Sequence, residues 1–137
     1  MFVLDTNVIS ELRHGKPQQS AAVRAWAAAQ PGSRLFMSAL TLMELELGIQ
    51  ALERRTPPQG SALRTWLTGV RAEFAGRILP FGENTAPLCA ALHVPNPRPD
   101  RDAMIAATAI EHKFTVVTRN TADFAHTGVA LVNPWLA

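Results

Sequence analysis

Four carboxylates in this chain stand where the polypeptide changes character. Asp5 ends the apolar run Phe2-Val3-Leu4 and is followed at once by Thr6 and Asn7. A run of that kind suits a strand buried on both faces. In an open parallel α/β sheet, ligands bind beyond the carboxyl ends of such strands. Glu44 falls in the first turns of a long amphipathic segment beginning at Ala39, Asp102 immediately precedes the run Ala103-Met-Ile-Ala-Ala107, and Asp123 lies just past Thr115-Val-Val117. Taken singly, each has a structural explanation. Asp5 or Thr6 can cap the helix that Val8, Ile9 and Leu12 begin, Ser38 can cap the one that starts at Ala39, and Thr41-Leu-Met-Glu44 fits a capping box. Asp102 complements a helix dipole, and Asn120-Thr-Ala-Asp123 reads as a further helix start. Asp100 is expected as an N-cap, with Glu46 and Glu53 solvated.

If the four converge, the cluster is electrostatically costly unless a divalent cation occupies it, because no lysine lies near any of them in sequence. The donors are hard oxygens. There is a single cysteine, and the four histidines, His14, His93, His112 and His126, are scattered, so Mg²⁺ or Mn²⁺ is expected rather than zinc. A cation of this type can orient a water and neutralise the charge that builds on a phosphodiester. Hydrolysis of a nucleic-acid backbone is the chemistry that follows. Thr6, Thr118 and Asn120 would support the site with hydroxyl and amide groups, and Arg119 is the best placed arginine to touch a phosphate.

Positioning these groups requires strands that end together. The pattern predicts strands at 2–4, 35–37, 78–81, 115–117 and 129–132. Helices are expected over about 8–13, 18–30, 39–55, 61–75, 84–93 and 102–113, with a short one after Thr118. Pro57-Pro58-Gln59-Gly60 reads as a turn between antiparallel helices, and Val94 to Pro99 as an extended loop. Strands alternating with helices argue for a three-layer α/β domain with a mainly parallel sheet of about five strands.

A chain of 137 residues, 47% hydrophobic and 18% charged, is expected to form one domain over residues 1–137. No window offers the ~20 apolar residues of a membrane span, and the N-terminus enters a strand without a signal-peptide pattern, so a cytoplasmic protein is expected. Cys89 should be buried in a helix. The formal charge of +2 neither demands nor opposes a nucleic-acid partner. Loops for nucleoside triphosphates, dinucleotides and serine hydrolysis are missing from the sequence. An aspartyl phosphatase is disfavoured because Asn7 stands where its second acidic residue belongs. Trp26 and Trp66 lie on apolar helix faces and are assigned to packing, whereas Trp135 is left open.

Four stretches together resemble the PIN-domain family, and within it the VapC/FitB-type toxins of bacterial toxin–antitoxin pairs. They are Val3-Leu-Asp5-Thr-Asn-Val-Ile-Ser-Glu-Leu12, Ser38-Ala-Leu-Thr-Leu-Met-Glu44-Leu-Glu-Leu-Gly48, Asp102-Ala-Met-Ile-Ala-Ala-Thr-Ala109 and Val117-Thr-Arg-Asn-Thr-Ala-Asp123-Phe124. The resemblance spans nearly the whole chain. It implies a PIN fold, a metal-dependent ribonuclease, and Asp5, Glu44, Asp102 and Asp123 as the acidic quartet, with Thr118 and Asn120 in support. It further implies a homodimer and a cognate VapB/FitA-type antitoxin that places a segment, often bearing an arginine, in the acidic pocket. The alternatives are a PIN nuclease of RNA processing without an antitoxin, and a catalytically silent RNA- or partner-binding domain. A bare domain favours the toxin over the first, and a complete acidic set opposes the second.

Overall fold

The computed structural model describes residues 1–137 and has five strands: β1 (Phe2–Leu4), β2 (Leu35–Ser38), β3 (Ile78–Leu79), β4 (Thr115–Val117) and β5 (Leu131–Val132). They form one sheet in the order β3-β2-β1-β4-β5, with every neighbouring pair parallel. The first strand is therefore the central one, pairing in register with Leu35 on one side and Thr115 on the other. Between the strands run helices α1 (Thr6–Glu11), α2 (Ala21–Ala28), α3 (Ala39–Arg55), α4 (Pro57–Glu73), α5 (Thr85–Leu92), α6 (Asp100–His112) and α7 (Thr121–Phe124).

Successive residues of a strand point to opposite faces, and β1 shows why both faces need cover. Leu4 is buried in a core with Val8, Val23, Met37, Leu45, Ile49 and Leu67. Val3 is buried in another with Leu40, Ile105, Ala106, Val116 and Phe124. Sheet and two helical faces make the three layers. Alanine at positions 103, 106, 107 and 109 leaves α6 with buried small residues on its inner side, which lets its backbone come close to the sheet. The helix ends at Lys113, whose φ of 58° is left-handed, and the chain drops directly into β4.

Three expectations are corrected. Pro57-Pro58-Gln59-Gly60 is the first turn of α4 and not a separate turn. Proline suits the first helical positions, where its missing N–H would have had no partner, so Thr56 alone separates α3 from α4. Gly60 is buried there, and a Cβ on it would lie 2.5 Å from the Glu53 backbone nitrogen. Glu46 and Glu53 are not merely solvated. Arg64 of α4 bridges them at 2.7 and 3.0 Å, tying α4 to α3. The helix 18–30 shortens to α2, because Ser20 accepts a hydrogen bond from Val23 N and fixes the start there.

Cys89 is buried and unpaired. Trp26 and Trp66 pack as expected, Trp26 meeting Phe2 edge-on at 5.1 Å, and Trp135, which the sequence left open, lies with them against the core on the Leu4 side.

Candidate functional site

The strand order places the ends of β1 and β4 side by side, and Asp5 emerges between them. Its backbone N–H donates to Val117 O at 2.9 Å, so the sheet ladder itself fixes the residue. Its side chain is only 6% exposed. One carboxylate oxygen accepts from the Thr6 N–H at 2.8 Å, capping α1. The other accepts from Thr118 Oγ1 at 2.8 Å and from Asn7 Nδ2 at 3.4 Å. The capping and site readings of Asp5 are therefore compatible, since one oxygen caps while the other faces Thr118.

Glu44 reaches the same edge from α3. Ser38 is the N-cap, as its place before Ala39 allows, and its hydroxyl accepts from Thr41 N, so the capping-box reading of Thr41 and Glu44 is not realised. This frees Glu44 to accept from Thr6 Oγ1 at 3.0 Å. Asp102 lies in the first turn of α6, one residue pair after Asp100, whose exposed side chain points elsewhere. The helix starts at Asp100 with Pro99 in the cap position, so Asp100 is not the N-cap expected. Asp123 sits exposed on α7.

Electrostatics show the four to be neighbours. Burial, followed by the negative charges of Asp5, Asp123 and Glu44, pushes the Asp102 carboxyl up to about 6. Burial also raises Asp5, with Glu44 and Asp123 adding to it and the hydrogen bonds from Thr118 and Thr6 opposing it. The one cation within ion-pairing distance of the quartet is Arg101, 3.6 Å from Glu44. Such an edge attracts cations.

The supporting residues fall into place around Asp5. Thr118 Oγ1 donates to Asp5 and accepts from Asn120 N at 3.0 Å, so Asn120 contributes through its backbone. Asn7, which sequence reasoning passed over as a site residue, bonds Asp5, Thr118 and the Arg119 N–H. Its place two residues after Asp5 was the available signal. Arg119 is exposed at the rim with its guanidinium 5.2 Å from the Trp135 ring centre, a cation–π contact that occupies the previously unassigned tryptophan. Glu11, also missed, is buried and serves structure: it accepts from Ser20 N at 2.7 Å and pairs with Lys16 at 3.1 Å.

No three of the acidic, thiol or imidazole side chains stand close enough together to hold an ion between them. That arrangement still fits Mg²⁺, which is typically held through one or two carboxylates and keeps much of its water. The donor set is all oxygen, without the thiolates and paired imidazoles that zinc favours.

Sheet and site together define a three-layer α/β protein with an acidic centre at the carboxyl edge of its parallel strands. The PIN domain family model matches residues 2–130, and the chain belongs to the PIN-domain family, in its VapC/FitB-type branch. It is 40% identical to the VapC ribonuclease Y4jK of Sinorhizobium fredii, with 98% of each chain covered. It is 38% identical to the toxin FitB of Neisseria gonorrhoeae, covering 98% of this chain and 99% of that one. The crystal structure of FitAcB from Neisseria gonorrhoeae superposes with a TM-score of 0.91 at 37% identity over the full length of both chains.

Proposed function

We propose that the protein is an Mg²⁺- or Mn²⁺-dependent endoribonuclease, the toxin of a toxin–antitoxin pair, with Asp5, Glu44, Asp102 and Asp123 as its catalytic and metal-holding residues. The observation that carries this reading is the gathering of four carboxylates at one sheet edge, with buried Asp5 held by Thr118 and the α1 N-terminus. The names of the two full-length relatives, a ribonuclease and a toxin, support it.

What the cation would bring is charge neutralisation at the phosphodiester and a water of lowered pKa. The chain supplies the rest. Thr118 and the Thr6 N–H fix the Asp5 carboxylate against the sheet, so its position is set before substrate arrives. Thr6 Oγ1 links Asp5's helix to Glu44 and orients that carboxylate from α3. Asp102, raised to about 6 by burial and its acidic neighbours, would be held ionised by a bound cation, whose charge offsets that of the other carboxylates. Arg119, braced on Trp135, stands where it can meet a substrate phosphate.

The antitoxin is the second partner. An arginine-bearing segment would bring this acidic edge the cation it lacks, in the manner in which Arg101 already meets Glu44. Met43 and Leu47, one turn apart and exposed on α3, support an apolar contact with a second copy of the chain in a homodimer. No helix is long and apolar enough to cross a membrane.

The decisive test is cleavage of total cellular RNA by purified wild type and Asp5→Asn, each with Mg²⁺, Mn²⁺ or EDTA. Cutting by wild type with metal alone, and none by a folded Asp5→Asn, is the expected outcome. Equal behaviour of the two proteins would reduce the carboxylates to helix caps.

A further inference from the structure

Asp102 reaches the acidic edge from the first turn of α6, and the residue before it is an arginine. Local structure gives no reason for a cation there. A helix dipole favours acidic side chains in the first turn and basic ones in the last, and Asp100 and Asp102, on either side of Arg101, follow that preference. Arg101 opposes it and gains little in return. Its guanidinium makes one charged contact, Nη1 to Glu44 Oε2 at 3.6 Å, while its side chain stays 53% exposed. That distance is beyond a hydrogen bond, and an ion pair so open to water contributes little to stability.

Nor does Glu44 depend on it. The other carboxylate oxygen, Oε1, accepts from Thr6 Oγ1 at 3.0 Å, so α1 already orients the side chain. The two arginines beside the edge therefore differ in kind. Arg119 is braced on the Trp135 ring, whereas Arg101 has only the loose pair with Glu44 and can leave it at small cost. Charge balance gives it a destination. Four carboxylates outweigh one divalent cation, so an edge holding a single ion still repels a phosphodiester unless a further positive group turns towards it. Neutralising Glu44 also loosens its hold on Arg101, and an arriving phosphate offers the planar guanidinium fork a matching pair of oxygens.

We infer that Arg101 exchanges Glu44 for a nonbridging oxygen of the phosphodiester being cut, and is a catalytic residue beyond the acidic quartet. The inference rests on the ribonuclease reading. Arg101 then stabilises the negative charge that grows on the reacting phosphate, and Arg119 is left to meet the neighbouring backbone. No proton passes through it, because a guanidinium stays charged throughout.

The test uses an RNA oligonucleotide with a mapped cut and its two phosphorothioate diastereomers, each with sulfur at one nonbridging position of the cut bond. Wild type, Arg101→Gln and Arg101→Lys are compared in Mg²⁺, and Mn²⁺ binding to each protein without RNA is followed by electron paramagnetic resonance. Arg101→Gln should lower kcat/KM about 10- to 100-fold, the worth of one hydrogen bond to a charged group, and Arg101→Lys should recover part of the loss. Arg101→Gln should bind Mn²⁺ at least as tightly as wild type, because a cation competing for Glu44 is gone. Sulfur at one of the two positions should slow wild type more than it slows Arg101→Gln. Equal rates for wild type and Arg101→Gln on unmodified RNA overturn the inference. So does a slow Arg101→Gln that binds Mn²⁺ more weakly, or that suffers the wild-type penalty from both phosphorothioates; Arg101 would then be a positioning residue for Glu44. A wild type that cuts no RNA with either metal overturns the ribonuclease reading itself, and the role of Arg101 with it.

Discussion

Replacing Asp102 by asparagine should stabilise the protein while silencing it. Burial and the charges of Asp5, Asp123 and Glu44 hold the Asp102 carboxyl at about 6, against an ordinary 3.8. A carboxyl that binds its proton more tightly in the folded chain than in the unfolded one favours folding in acid. That contribution is lost as pH rises through the folded value, and above it the ionised group opposes folding in full. The difference between the two values corresponds to about 3 kcal/mol at neutral pH. Water reaching this half-buried side chain screens the cost to about 1–2 kcal/mol. Asp102→Asn removes the charge at nearly constant volume, so the variant should gain about 1–2 kcal/mol at roughly pH 7.5 and little at about pH 4. Asp5 is a poorer choice for this experiment, because its carboxylate also caps α1 and holds Thr118. Urea denaturation in EDTA at the two pH values measures the gain, and RNA cleavage with Mg²⁺ measures the loss. Adding Mg²⁺ to the denaturation should narrow the gap, since a ligand that binds only the folded wild type stabilises it. A gain of equal size at both pH values, or a variant less stable than wild type at neutral pH, would refute the electrostatic account.

Two other substitutions probe what positions the site. Thr118→Val keeps the shape but removes the hydroxyl that donates to Asp5; a hydrogen bond to a charged group is worth about 1.5–3 kcal/mol, so initial rates of RNA cleavage should fall roughly 10- to 100-fold, and Thr118→Ser should restore most of the loss. Gly60→Ala puts a methyl 2.5 Å from the Glu53 backbone and should destabilise by about 1–3 kcal/mol, the usual cost of overpacking, read as a lowered melting temperature.

What sequence reasoning reached depended on whether the governing interaction is local. Strand and helix identities followed from periodicity, and the ends of β1 and β4 could be placed because apolar runs stop abruptly at Asp5 and Thr118. The acidic quartet was visible as a set of junction residues, and the structure brings its members within mutual electrostatic range. The misreadings have the opposite origin. Pro57 and Pro58 were taken to break the chain, although proline is equally at home in a first helical turn, and only the packing of Gly60 against α3 decides between the two. Thr41 competed with Ser38 for the cap of α3, and the Thr6 hydroxyl, supplied from another element, settles what Glu44 does. Arg64 clamps Glu46 and Glu53 from 18 and 11 residues away, and Glu11 is buried by a segment that no periodicity identifies as covering it.

The central place of β1 also has a meaning in time. Asp5 leaves the ribosome well before its hydrogen-bond partner Thr118, which lies 113 positions later, and the β4 strand that fixes its backbone comes equally late. Asp102 and Asp123 are late as well. A growing chain can fold its earlier helices first, but it has no assembled acidic edge until β4 and α7 have been made. If that edge cuts RNA, a nascent copy is harmless to the messenger that encodes it, and the interval before β4 arrives gives an inhibitory partner time to be present first.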